Sequence, residues 1–241
     1  MKAMAVHVWP GPTPAPQDGL FAILLTTSAG TLGDGAPSQS GIAPSQSAPA
    51  PASGDALPRL SGVVPSLGDA APSQNDAGPG AGALRDAARR RIRLAAREAL
   101  SAVLRIPVGD ISITSRPGEA PSILLAGRPS AIGISFTHDD IHSLAAINLQ
   151  GPIGADIMRV QDIPDWQTVA RDYLGPATAA RLQALPASER PHAFALAWTA
   201  NEARLKLEAR HLTEWQPCAT TAQTQSLILP AGMAGTLATR L

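Results

Sequence analysis

The order of elements along this 241-residue chain predicts an α+β protein. Three observations carry that expectation. Short apolar segments with strand character follow one another directly instead of alternating with helices. Stretches with a 3.6-residue apolar period lie before and after them. Prolines and glycines mark the joins.

Residues 3–9 (AMAVHVW) read as a strand stopped by Pro10 and Pro12. Residues 18–27 add a short helix or strand. Their apolar run LFAILL follows several prolines and one lysine, unlike the basic stretch that precedes the core of a signal peptide. From about 28 to 82 the chain turns to Ala, Pro, Gly, Ser and Gln, with APSQS at 36 and again at 43 and APSQN at 71. Such a segment buries too little apolar surface to offset its ordering entropy, so a disordered low-complexity insert is expected there.

Order resumes with a helix over 84–104, in which Leu84, Ala88, Ile92, Ala95, Ala96, Ala99, Leu100 and Val103 keep the helical period and Pro107 ends the run. Arg85, Arg89, Arg93 and Arg97 form a basic stripe on it, either a solvated face or an anion site. Residues 110–114 and 122–126 read as strands, with Pro117-Gly118 a turn between them and Gly127-Arg128-Pro129 a turn after them. Residues 132–137 and 143–149 look like a buried strand pair, and 153–160 a third strand, together an antiparallel meander. Helices are expected over 164–174, closed by Gly175-Pro176, over 177–185, and from a cap at Ser188 with Pro191 in the first turn to about Arg210. The tail shows one strand-like stretch at 226–229.

Composition narrows the function. A formal net charge of +0 argues against a dedicated nucleic-acid binder, which needs a basic surface. Cys218 is the only cysteine, which excludes an internal disulfide and fits a reducing cytoplasm. No run reaches the roughly 18–20 apolar residues of a membrane span. Basic residues are almost all arginine; Lys2 and Lys206 are the only lysines.

Trp198, Glu202 and Lys206 are spaced i, i+4, i+8, so on a helix they rise along one face. Asp156 closes a short apolar run about forty residues earlier. Two separated carboxylates plus a cation are what a magnesium-bridged phosphate site needs. Each element also has a plain reading: a turn aspartate, an i, i+4 surface pair, a core tryptophan.

Three landmarks in order then give a resemblance to the 4′-phosphopantetheinyl transferase superfamily, of the longer, pseudo-duplicated type that activates carrier proteins. I-S-F-T-H at 134–138 is similar to the family's N-I-S-H strand end. G-A-D-I-M at 154–158 is similar to G-[VI]-D-[IL]-E, and W-T-A-N-E-A-R-L-K at 198–206 to W-x-x-K-E-[AS]-x-x-K. The resemblance implies two similar α+β halves, 1–130 and 131–241, with coenzyme A between them. It implies a magnesium-dependent transfer of the phosphopantetheine arm of coenzyme A to a serine of an acyl- or peptidyl-carrier protein. Asp156 and Glu202 would hold the metal, and Lys206 would neutralise phosphate. His138 beside Thr137 would hold the 3′-phosphate, with Arg89 as the matching helix arginine and Trp198 beside the coenzyme. Glu202 or a metal-bound water would take the serine proton. A cytoplasmic monomer is implied as well.

The chain departs from the pattern at two motif positions. Met158 stands where many members carry a second metal-binding glutamate, and Asn201 where a lysine is usual. Those departures support a rival reading, a catalytically degenerate protein that binds coenzyme A or a carrier without transfer. A second rival, a nucleic-acid or scaffold protein working through the arginine helix, predicts salt-sensitive binding that survives Asp156→Ala.

Overall fold

The structure is a computed structural model that describes residues 3–27, 81–116, 119–139, 141–217 and 221–240. The low-complexity segment 28–80, the Pro117-Gly118 turn, Asp140 and Cys218 lie outside the described residues. Among the described residues ten strands and four α-helices follow in the order β1 (Met4–Ala5), β2 (His7–Val8), β3 (Leu20–Thr26), α1 (Ala81–Leu104), β4 (Ile111–Thr114), β5 (Ser122–Leu125), β6 (Arg128–Asp139), β7 (His142–Asn148), β8 (Ile153–Arg159), α2 (Trp166–Val169), α3 (Pro176–Gln183), α4 (Arg190–Leu207), β9 (Ala222–Ile228) and β10 (Met233–Arg240). The α+β class read from the sequence is borne out.

The strands form two sheets, β2-β3-β7-β6-β5-β4 and β1-β9-β10-β8. Their apolar faces stack in four layers. Ile92, Ala96, Ala99 and Leu100 of α1 pack with Phe21, Ile23, Ile134, Ala145 and Ile147 on one face of the six-stranded sheet. Its other face gives Ala22, Leu24, Leu144 and Ala146 to a cluster with Ile153, Ala155, Ile157, Leu227 and Leu237 of the four-stranded sheet. The far face of that second sheet carries α4 through Met158, Trp198, Ala195 and Ala234 and through Ala203, Leu207 and Ala238. Each sheet thus holds one long helix. The expected boundary at 130/131 falls inside β6.

Several elements differ from the sequence expectation for physical reasons. The first segment is two short strands, because His7 pairs in parallel with Ile23 of one sheet while Met4 pairs in parallel with Leu227 of the other. The stretch 18–27 is a strand, and it lies between β2 and β7. Ala126 and Gly127 both have positive φ (46° and 76°) and make a two-residue hairpin turn, so Arg128 and Pro129 already belong to β6. The expected three-strand meander is corrected. β6 and β7 form an antiparallel hairpin, but β8 pairs antiparallel with β10 in the other sheet.

β8 leaves its neighbour because Gly151-Pro152 redirects the chain; a Cβ at Gly133 would lie 2.2 Å from the Gly151 carbonyl oxygen. The open edge of β8 then abuts the face of β6. Its amides are met there by side chains: Ala155 N–H donates to Ser135 Oγ (3.0 Å), Ile157 N–H to Thr137 Oγ1 (3.4 Å) and Arg159 N–H to Asp139 Oδ2. Alternate β6 residues thereby satisfy an otherwise exposed edge.

The helix expected over 164–174 is one α-helical turn followed by a π-helical turn at Ala170–Leu174, closed by Gly175 at φ 88°. Ser188 does not cap the long helix. Glu189 holds the N-cap position, Pro191 sits in the first turn, and the helix ends at Leu207.

Candidate active site

Asp156 lies mid-strand in β8 and is 3% exposed. With Gly154 and Met158 it faces α4, while Ala155 and Ile157 face the other sheet, as strand alternation requires. Helix α4 runs close over this face because the residues beneath it are small. A Cβ at Gly154 would stand 1.9 Å from the Ala203 carbonyl oxygen and 2.5 Å from the Leu207 nitrogen. Gly154 pairs with Ala238 and Asp156 with Thr236 across the β8–β10 ladder. Thr236 Oγ1 hydrogen-bonds Thr199 Oγ1 at 3.0 Å, which ties the helix to the sheet beside the acid.

Four predicted residues come together here. Lys206 Nζ donates to Asp156 Oδ1 at 2.9 Å, and Thr137 Oγ1 donates to the same oxygen at 2.9 Å. Glu202, one turn before Lys206, is 7% exposed, and its Oε1 is buried with no hydrogen-bond partner. Burial pushes the Glu202 carboxyl up to about 7; the negative charge of Asp156 adds to that rise and Lys206 partly opposes it.

An orphaned carboxylate oxygen beside a second carboxylate is a place where a hard cation gains oxygen ligands and relieves the repulsion that raises Glu202. Among the described residues no group of three or more His, Cys, Asp and Glu that could hold a metal ion assembles; Asp156 and Glu202 are two carboxylates that act on each other here. The donor chemistry fits magnesium, with waters and phosphate oxygens for the remaining positions.

The other predicted residues sit elsewhere. His138 belongs to β6 but faces the α1 side with Phe136, opposite to Thr137; its Nδ1 is 2.8 Å from Ser143 Oγ, its cross-strand partner. Arg89 lies on the exposed side of α1, 3.9 Å from Asp86. Trp198 is 1% exposed, with ring centroids 6.0 Å from both Phe194 and Tyr173, so it belongs to the core under α4. Met158 is 1% exposed in the same cluster and supplies apolar packing, in keeping with its reading as a departure from the glutamate of the motif. Of the arginine stripe, Arg93 stacks over Phe136 at 4.9 Å and bonds Ser115 Oγ, and Arg97 bonds the Val108 carbonyl. These two help to hold α1 on its sheet. A cavity of about 490 Å³ off the end of β8 is lined by Gln161, Trp166, Arg190 and Phe194 among others and contains none of the predicted site residues.

Sequence reasoning missed the Thr199–Thr236 pair and the close approach at Gly154. The glycine was visible in G-A-D-I-M, but only the partner backbone shows why it is small.

Residues 152–227 match the family model of the 4′-phosphopantetheinyl transferase superfamily, so the resemblance drawn from the motifs holds over this segment. The matched segment contains Asp156, Trp198, Glu202 and Lys206; Thr137, His138 and Arg89 precede it. No curated protein matches the chain.

Proposed function

We propose that this chain transfers the 4′-phosphopantetheine arm of coenzyme A to a serine hydroxyl of an acyl- or peptidyl-carrier protein, as a holo-carrier-protein synthase does. Support comes from the match of residues 152–227 to a transferase superfamily. The observation that carries the reading is the buried, unpartnered Glu202 Oε1 beside Asp156 and Lys206.

In this reading Asp156 and Glu202 hold magnesium. When bound, the ion supplies positive charge that polarises the attacked phosphate and offsets charge on the leaving group. Lys206, already anchored at Asp156, adds a cation one helical turn beyond Glu202. The serine oxygen forms a bond to the β-phosphorus of coenzyme A as the bond to adenosine 3′,5′-bisphosphate breaks. The serine proton passes to Glu202 or to water. His138, with its ring orientation set by Ser143, and Arg89 serve the 3′-phosphate across the end of β6. The carrier docks near the exposed arginines of α1, which suit its acidic helices. A cytoplasmic, monomeric enzyme of two similar halves completes the proposal.

The test is mass gain. Apo carrier protein with coenzyme A and magnesium should gain one phosphopantetheine. Absence of gain across several carriers, with coenzyme A still bound, supports the degenerate reading that the apolar Met158 favours.

Metal affinity should also follow pH. A proton on Glu202 competes with the cation, so magnesium affinity is expected to fall about tenfold per unit as pH drops below about 7 and to level off above it. Calorimetric titration between pH 5.5 and 8.5 checks this; a flat profile removes Glu202 from the ligand set.

A further inference from the structure

We infer that Thr137 is a positioning residue for Asp156, orienting that carboxylate toward the cation, and is not a contact to the coenzyme. The inference rests on the reading of Asp156 and Glu202 as the metal carboxylates.

The Thr137 hydroxyl is 3% exposed as part of its residue and both its roles are taken. A threonine hydroxyl has one proton, and here it points to Asp156 Oδ1 at 2.9 Å. Thr137 Oγ1 in turn accepts Ile157 N–H at 3.4 Å. Thr137 therefore bridges the main chain of β8 at 157 and the side chain of β8 at 156. It does so from a different sheet, and its place is fixed on both sides, where Ser135 and Asp139 bond Ala155 and Arg159 in the same way. A β-branched side chain adds stiffness at χ1.

Lys206 Nζ also donates to Oδ1, so both hydrogen bonds fall on one oxygen of the acid. Two donors on Oδ1 set the carboxylate plane and leave Oδ2 as the oxygen offered to a cation. Lys206 is a mobile four-carbon stem; Thr137 is the rigid member of the pair. Partners of this kind behind a ligand typically change metal affinity about 10–100-fold when removed.

The experiment measures Mn²⁺ affinity of the full chain by isothermal titration without coenzyme A, for wild type, Thr137→Val and Thr137→Ser, with the KM for coenzyme A as the second readout. Expected are an affinity about 10–100-fold lower for the valine variant, recovery of most of it by serine, and an unchanged KM for coenzyme A. If the valine variant does not fold, Thr137→Ala takes its place against the same serine variant. Wild-type affinity in the variant lacking the hydroxyl overturns the inference, as does equal weakening by valine and serine, or a rise in KM for coenzyme A with metal affinity intact. Wild-type protein that binds no Mn²⁺ overturns both this role and the metal assignment. Hydroxyl-dependent Mn²⁺ binding in a protein that labels no carrier upholds Thr137 and removes only the transferase reading.

Discussion

Glu202→Gln is expected to lower carrier labelling by about 10²–10³-fold while making the metal-free protein more stable. The two effects have one origin. Folding buries Glu202 against the charge of Asp156 and raises its carboxyl from 4.5 to about 7. A raised carboxyl favours the folded state while it is protonated. Its contribution is complete below about 4.5 and is lost as pH climbs through about 7. At pH 8 the folded protein therefore carries an ionised Glu202 at a cost of up to about 3 kcal/mol, which the neutral glutamine avoids. Urea unfolding without metal should give a gap between variant and wild type that is small near pH 4.5 and widens toward pH 8. Full labelling by the glutamine variant, or a gap independent of pH, discards the assignment. Both effects together would place Glu202 within the general trade between stability and activity.

Gly154→Ala is the second substitution with a large expected effect. The added methyl meets two backbone atoms of α4, the Ala203 oxygen at 1.9 Å and the Leu207 nitrogen at 2.5 Å, and backbone cannot rotate away. Helix α4 must lift from β8. Overpacking of this kind costs about 1–3 kcal/mol, and the contact with α4 backbone sets the expectation at the upper end. The lifted segment, 203–207, follows Glu202 and contains Lys206, so the 2.9 Å Lys206–Asp156 contact is lost with it. A misplacement of about 1 Å at such a site is worth roughly 100-fold in rate. Thermal unfolding and labelling should fall together; unchanged labelling in a folded variant means that the approach of α4 does not set the site.

The α+β class and the grouping of Asp156 with Glu202 and Lys206 were legible in the sequence, while the strand connections around them were not. Trp198, Glu202 and Lys206 declare a helix face by spacing alone, and Asp156 ends an apolar run, so the pairing of helix and strand could be read before any coordinates. The role of Trp198 could not, because an aromatic at helical spacing looks the same whether it meets a ligand or the core, and here it stacks on Phe194. Strand β10 was the least visible element. Its sequence, MAGTLATR, has no Val, Ile or aromatic residue, and its two threonines alternate with Ala, Gly and Leu instead of marking a strand. The structure supplies the reason: Ala234, Thr236 and Ala238 lie beneath α4 and must be small for the helix to sit close. The departure of β8 to a second sheet was hidden for another reason. A short Gly-Pro turn after a hairpin strand reads as one more meander step, and only the space at Gly133 reveals that the chain has crossed over.

The meeting of β8 with β6 has an evolutionary consequence. Peptide groups are common to every residue, so a strand pairing built from them survives most substitutions. At this border the acceptors are a serine, a threonine and an aspartate. Single-codon changes at 135, 137 or 139 can therefore loosen or retune how one layer grips the other while the fold within each layer stays intact.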